Sequence, residues 1–369
     1  MLKSISKKTQ FLFGISVCIL FLTSCSDDDI DSTHQNGRSE YKIGSILNLS
    51  GRLASIGEPT KWALETYVEL FNEKSTDIKL VLDLQDAGSD PDRAASALRS
   101  TLNNSADLII TSTSGTTNAI LPYLNDFNGI VLANAGAPTI LKRNENAILA
   151  FPSPEDEITE VVKIIGEKNA FLVRTSDLYH DLDATELKRR LGDRLVGDER
   201  YKPGNRDFSS IVSKIKSSSS DYIVLMGFGI SYRAFFNEYL DKELNKTVIV
   251  DTDFSSNALE EYPNQIFENL AFICPDYISS ITSSKNEFIE RYENEHGTPP
   301  MYYAAILVDS LDILLESEVD KLNPQALIAK LNILKSTKKI SGNIKIDNRQ
   351  ARLTLNTCKV NEKGLIEQY

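Results

Sequence analysis

From Tyr41 onward, short runs of β-branched and aliphatic residues alternate with stretches whose apolar residues recur at helical spacing. That alternation is the pattern of parallel sheets covered by helices on both faces. Ile43 to Leu47, Leu80 to Leu84, Leu108 to Ile110 and Ile130 to Ala133 read as buried strands. Between them Ala63, Leu64, Tyr67, Val68 and Phe71 share one helical face, as do Ala94, Ala95, Leu98 and Leu102. Pro59 and Pro91 fall where a first helical turn tolerates proline. A second series begins near Glu155, with strands at Ala170 to Val173, Tyr222 to Met226, Val248 to Val250 and Phe272 to Cys274, and helices over 156–166, 181–192, 206–216 and 231–243. Two such series in 369 residues predict an α/β fold of two doubly wound, Rossmann-like lobes. A later helical block, Lys285 to Asn294 and Tyr302 to Leu315, is expected to return to the first lobe, and Ile340 to Ile346 and Leu353 to Val360 alternate like hairpin strands. The expected division is 41–152 plus 282–340 for lobe one and 153–281 plus 341–369 for lobe two.

The first residues read as an address. Lys3, Lys7 and Lys8 precede an apolar run from Phe11 to Leu22, too short to span a bilayer and suited to an export signal over residues 1–24. The run ends in Leu22-Thr23-Ser24-Cys25, which resembles the lipobox of bacterial lipoproteins and implies lipidation of Cys25 after cleavage. Cleavage removes those three lysines and no acid, moving the net charge from −12 to −15. Ser26-Asp27-Asp28-Asp29 is similar to the acidic run that directs some lipoproteins to the outer face of the outer membrane, and a plain solvated tether has the same look. Residues 25–40 lack apolar periodicity and are expected to be a disordered leash, so that the membrane is met through the lipid anchor only.

Charge and motif content exclude several functions. With 40 basic against 52 acidic residues and no long basic stretch, nucleic acid is not an expected partner. His34, His180 and His296 stand far apart without a second ligand at metal spacing, so they read as surface or loop histidines and no metal or other cofactor is expected. No Gly-x-Ser-x-Gly elbow, Walker loop or cysteine with a supporting histidine is present, which favours a binding protein over an enzyme. After cleavage and acylation only Cys274 and Cys358 remain; a disulfide and two buried thiols are both compatible with the sequence.

In open parallel sheets ligands bind beyond the carboxyl ends of the strands, where backbone N–H groups are unpaired. Two small, polar turns occupy that position: Thr111 to Thr117, after the strand ending at Ile110, and Asn134-Ala135-Gly136-Ala137, after the strand ending at Ala133. A carboxylate suits them, although ordinary helix-capping turns look the same. Ile43 to Leu47 through Ser50-Gly51 and Ile56-Gly57, then Asp86 to Pro91 and the two turns, resemble the type I periplasmic binding proteins of the leucine/isoleucine/valine-binding kind. Gly204-Asn205-Arg206-Asp207-Phe208-Ser209, leading into an amphipathic helix and an Asp-led strand, is the most specific match; Tyr303-Ala304-Ala305, Asp309 and Ser341-Gly342 resemble the closing segments.

The resemblance implies two lobes joined by three hinge crossings, closing on a ligand that touches both. It places Ser114, Gly115, Thr116, Ala135 and Ala137 on the ligand carboxylate, with Tyr179 and Phe228 on the opposite wall. Each aromatic has a packing role as an alternative. Pro138 lacks an expected donor, and the acid for a ligand amino group aligns with Thr252, flanked by Asp251 and Asp253, either of which is a candidate replacement. The expectation is a lipid-anchored solute-binding protein that captures a small polar molecule or amino acid for an ABC transporter permease or as a sensor. The alternative is a lipoprotein with a degenerate cleft that binds and regulates an envelope enzyme or receptor.

Overall fold

The computed structural model describes residues 38–256, 262–277, 286–361 and 366–368. Cys25, its leader and most of the expected leash lie outside the described residues. The first strand already begins at Ser39, two residues inside the segment expected to be leash.

The first sheet is built from β1 (Ser39–Leu47), β2 (Ile78–Asp86), β3 (Leu108–Thr111), β4 (Ile130–Ala133) and β5 (Ala147–Leu149). They are linked through α1 (Ala54–Lys74), α2 (Pro91–Asn103), α3 (Ser114–Ile120) and α4 (Thr139–Arg143). The second lobe runs α5 (Pro154–Ile165), β6 (Ala170–Thr175), α6 (Leu178–Leu191), β7 (Leu195–Tyr201), α7 (Ser209–Ser217), β8 (Tyr222–Met226), α8 (Ile230–Asp241), β9 (Thr247–Val250) and β10 (Leu270–Pro275). These ten strands pair in parallel as β2-β1-β3-β4-β5 and β7-β6-β8-β9-β10. Strands such as β3 and β4 are buried at every residue, which is why they read as unbroken apolar runs rather than alternating ones. In each lobe the order reverses between the first and third strands, and that switch point opens a crevice at the carboxyl ends.

The chain then returns to lobe one. Helices α9 (Glu287–His296), α10 (Tyr302–Glu316) and α11 (Pro324–Ile333) bury Phe288, Tyr292, Leu307 and Leu327 against Ile43, Leu64 and Leu108. Strands β11 (Thr337–Lys339), β12 (Gly342–Asp347) and β13 (Gln350–Leu353) extend the first sheet, whereas β14 (Leu355–Val360) and β15 (Ile366–Gln368) extend the second. The chain thus passes between the sheets three times, after β5, after β10 and at Thr354.

Two expectations are corrected here. Residues 342–353 belong to the first sheet, not the second, because Gln350 pairs with Leu149 and Ile344, Ile346 and Ala351 join the first core. The hairpin partner of β12 is β13, which ends at Leu353, and the rest of the expected partner segment, from Leu355, pairs with β10 instead. There it brings Cys358 beside Cys274, and the two are disulfide-bonded with Cα atoms 5.8 Å apart.

Pro91 opens α2 as expected, with Asp90 accepting from the Asp92 N–H at 2.8 Å. Pro59, however, lies inside α1, because that helix starts at Ala54. Proline has no N–H for the carbonyl four residues earlier. That carbonyl, on Ser55, instead accepts the Tyr303 hydroxyl at 2.9 Å. The Asp-Phe-Ser segment also has a local explanation: Asp207 accepts from the Ser209 N–H at 3.0 Å to start α7, while Phe208 is buried in the second core.

Candidate functional site

A cleft of about 650 Å3, counted to its open mouth, lies where the carboxyl ends of both sheets meet. Lobe one contributes Leu53 and Ile56 after β1, Ser112 to Gly115 after β3, Asn134 to Gly136 after β4, Phe151 and Tyr303. Lobe two contributes Asp177 and Tyr179 after β6, Phe228 after β8 and Asp253 after β9. No lysine or arginine is among these lining residues.

The wall after β3 is organised by Asn48, at the end of β1. Its Oδ1 accepts the hydroxyls of Ser112 (2.6 Å) and Thr116 (3.1 Å), and its Nδ2 donates to the Gly88 carbonyl (2.5 Å). Thr113 caps α3, accepting from the Thr116 N–H at 3.1 Å, and its carbonyl takes the Thr117 N–H at 2.9 Å. In the first turn of a helix the N–H groups lack intrahelical acceptors. Ser114 and Gly115 stand in that first turn and line the cleft.

On the other wall, Asp177 accepts from the N–H groups of Tyr179 (3.0 Å) and His180 (3.1 Å), which fixes the start of α6. Tyr179 then reaches across to lobe one, donating toward the Pro152 carbonyl (3.2 Å) and meeting Phe151 edge-on with ring centres 5.5 Å apart, while its hydroxyl also lies 3.0 Å from Glu157 Oε2 in its own lobe. Gly136 permits this approach: a Cβ there would lie 2.4 Å from Tyr179 Cε2 and 2.1 Å from the Pro152 carbonyl oxygen.

Behind this wall sits an acid-rich cluster around one imidazole. His180 is 1% exposed; its Nδ1 is 2.6 Å from Asp177 Oδ2 and its Nε2 3.5 Å from Asp251 Oδ2. Asp251 also accepts the Gly227 N–H at 2.7 Å and the Tyr232 hydroxyl. Glu157 accepts the Thr252 N–H at 2.7 Å. Burial opposes a charge on His180, but the adjoining Asp177 overrides it and holds the imidazole well above its ordinary range. Burial likewise works against ionised Asp177, and His180 nonetheless keeps that carboxyl below the usual range. Burial first, and the charge of Asp251 second, push Glu157 up to about 7 and Asp253 upward. Asp183 is raised by burial and by Glu157, and neither of its oxygens has a hydrogen-bond partner among the described residues. The cleft thus has a turn with hydrogen-bonding groups on one side and, on the other, a wall backed by acids whose burial favours taking up protons. His180 and one oxygen each from Asp251 and Asp253 come within 4.8 Å of one another. Both His180 nitrogens already face carboxylates, so the group is accounted for as an ion-pair network.

The profile of the periplasmic binding protein family matches residues 40–364. The chain belongs to that family. This periplasmic binding protein is 25% identical, over 249 residues, to the Leu/Ile/Val-binding protein BraC3 of Rhizobium johnstonii, covering 63% of this chain and 68% of that one. Its fold matches a solute-binding protein of an ABC transporter from Rhodopseudomonas palustris BisB5, solved with 3,4-dihydroxybenzoic acid, at a TM-score of 0.76 and 18% identity, with 89% and 95% of the two chains covered. It also matches the branched-chain amino acid transporter substrate-binding protein LivJ of Streptococcus pneumoniae, solved with isoleucine, at a TM-score of 0.73 and 19% identity, with 89% and 98% covered. The chain is accordingly a type I, two-lobed solute-binding protein.

Of the residues expected at the site, Ser114, Gly115, Ala135, Tyr179, Phe228 and Asp253 line the cleft of this periplasmic binding protein. Three do not. The Thr116 hydroxyl is turned inward to Asn48 and Thr113, Ala137 is wholly buried beneath the turn, and Asp251 is held by Gly227, Tyr232 and His180. His180, read as a surface or loop residue, is buried because the α6 cap turns it inward beside Asp251. Sequence reasoning passed over Asn48, Phe151, Glu157 and Asp177, and it named Asn134 within the second turn and Tyr303 within a closing segment without assigning either to the ligand. Only Asp177, an acid immediately before a helix, carried a local signal.

Proposed function

We propose that this chain is a lipid-anchored, extracytoplasmic solute-binding protein that captures a zwitterionic amino acid by closing its two lobes, for delivery to an ABC importer or for sensing. One observation carries the reading: amide and hydroxyl donors of Ser114 and Gly115 in lobe one share a cleft with Asp253 in lobe two, and the lining holds no basic residue. A carboxylate suits the donors and an ammonium suits the acid. A guest bearing both touches both lobes at once, which is what favours closure. A purely anionic guest would meet the acid cluster without compensation. The resemblance to a Leu/Ile/Val-binding protein points the same way. The aromatic rims of Phe151, Tyr179, Phe228 and Tyr303 support a second reading, an aromatic acid.

Calorimetric titration with amino acids and with 3,4-dihydroxybenzoate separates the two. For an amino acid ligand, Asp253→Asn weakens binding by about ten- to a hundredfold, as expected on losing a hydrogen bond to a charged group. Unchanged affinity in that variant, or binding of the aromatic acid alone, refutes the amino acid reading. Lipid anchoring at Cys25, with an outer-membrane location, belongs to the same proposal; Cys25→Ser moves the protein from the membrane to the soluble envelope fraction if it holds.

A further inference from the structure

Asn134 leaves β4 at the cleft wall, its backbone N–H donating to the Thr111 carbonyl at 2.9 Å. The residue is 5% exposed and belongs to the lining of the cleft. Neither its Nδ2 nor its Oδ1 has a hydrogen-bond partner among the described residues. The hydroxyls of the adjoining turn are engaged elsewhere: those of Ser112, Thr113 and Thr116 all face Asn48 Oδ1. A buried carboxamide with both ends unpaired is a standing loss that an alanine or leucine would remove, and native proteins keep such groups rarely. Placed on a binding wall, it has a use when a guest supplies the missing partners.

The form of that guest follows from the chemistry of the amide, which offers one donor and one acceptor side by side. A carboxylate satisfies Nδ2 and leaves Oδ1 unpaired; an ammonium does the reverse. On the reading above, on which this inference rests, both charged ends already have partners in Ser114 and Gly115 and in Asp253. A neutral carboxamide or hydroxyl both donates and accepts. Leu53, Ile56, Phe151 and Phe228 offer an aliphatic guest apolar contact but leave the amide unpaired. Sites built to hydrogen-bond a polar group reject the analogue that lacks it far more strongly than apolar pockets reject an added group.

We propose that Asn134 is a specificity-determining ligand contact, and that the preferred guest carries a neutral carboxamide or hydroxyl in addition to its charged end or ends.

The test is titration calorimetry on the wild type, Asn134→Leu and Asn134→Ala with shape-matched pairs: asparagine against leucine, threonine against valine, and 3,4-dihydroxybenzoate against benzoate. The wild type is expected to bind the polar member of at least one pair about tenfold or more tightly, and Asn134→Leu to abolish or invert that preference. Melting of the unliganded variants provides the control for folding: a ligand-facing amide leaves the midpoint unchanged or raised on substitution, whereas a structural amide lowers it. A preference that survives both substitutions within about twofold overturns the proposal, as does a wild type that favours the apolar members or binds no polar compound of the panel. If the benzoates alone bind, the amino acid reading fails. The hydroxyl preference, and its loss in Asn134→Leu, still decides the Asn134 contact.

Discussion

Replacing Glu157 by Gln should stabilise the unliganded protein, and by an amount that grows with pH. Glu157 is buried at the start of α5, among Asp251, Asp183 and Asp253, and its carboxyl is pushed from 4.5 to about 7 by burial and then by the charge of Asp251. An acid whose pKa rises on folding binds its proton more tightly in the native state. Its contribution is therefore fully present below the unfolded value near 4.5 and is lost as pH climbs through 7. A shift of that size corresponds to about 3 kcal/mol between the two limits. Glutamine stays neutral throughout and preserves the geometry: its oxygen accepts the Thr252 N–H as Oε1 does now, and the Tyr179 hydroxyl retains the Pro152 carbonyl. The variant and the wild type should thus be nearly equal near pH 4.5, with the variant ahead by about 3 kcal/mol at pH 8. Urea unfolding of both proteins across that range measures the difference, in which groups distant from the cluster cancel while Asp183 and Asp253, which feel the Glu157 charge, add to it. A flat difference, or a variant that loses ground as pH rises, would refute the electrostatic account of the cluster.

Tyr303→Phe leaves the Ser55 carbonyl, which Pro59 cannot serve, without its hydroxyl donor; a loss of about 1–3 kcal/mol in urea unfolding is expected, and no loss would mean that water replaces the hydroxyl. The Cys274–Cys358 bond closes a separation of 84 residues, so its reduction or the double alanine variant should cost about 2–4 kcal/mol, read as a lower urea midpoint under reductant. Gly136→Ala puts a methyl where Tyr179 and the Pro152 carbonyl now lie; the clash with backbone should cost about 1–3 kcal/mol in urea unfolding and ligand affinity should fall about tenfold or more, and undiminished affinity would show that this contact between the walls is dispensable.

Much of this architecture is encoded locally. Strand runs such as Leu108 to Ile110 and Tyr222 to Met226 were recognisable because both faces of a parallel sheet are covered, which demands unbroken apolar stretches of strand length. The turns after β3 and β4 were recognisable as site elements because the crevice of a doubly wound sheet always opens at strand carboxyl ends, and small polar residues stood there. Which side chain of a turn faces the guest was not local. Thr116 turns inward because Asn48, 68 residues earlier, accepts its hydroxyl, and Asn134 is left at the cleft with no such partner.

The sequence alone determined the alternation of layers, the two doubly wound lobes and the small polar turns at strand ends, since each depends on the pattern within a few turns of chain. Tertiary structure decided that 342–353 completes the first sheet, that Cys274 meets Cys358, and that His180 is drawn from an expected surface position into a cluster gathered from α5, α6 and the end of β9. Those outcomes are set by which distant segments share a core, and by the charge each buried group feels once they do; neither quantity exists until the chain has packed.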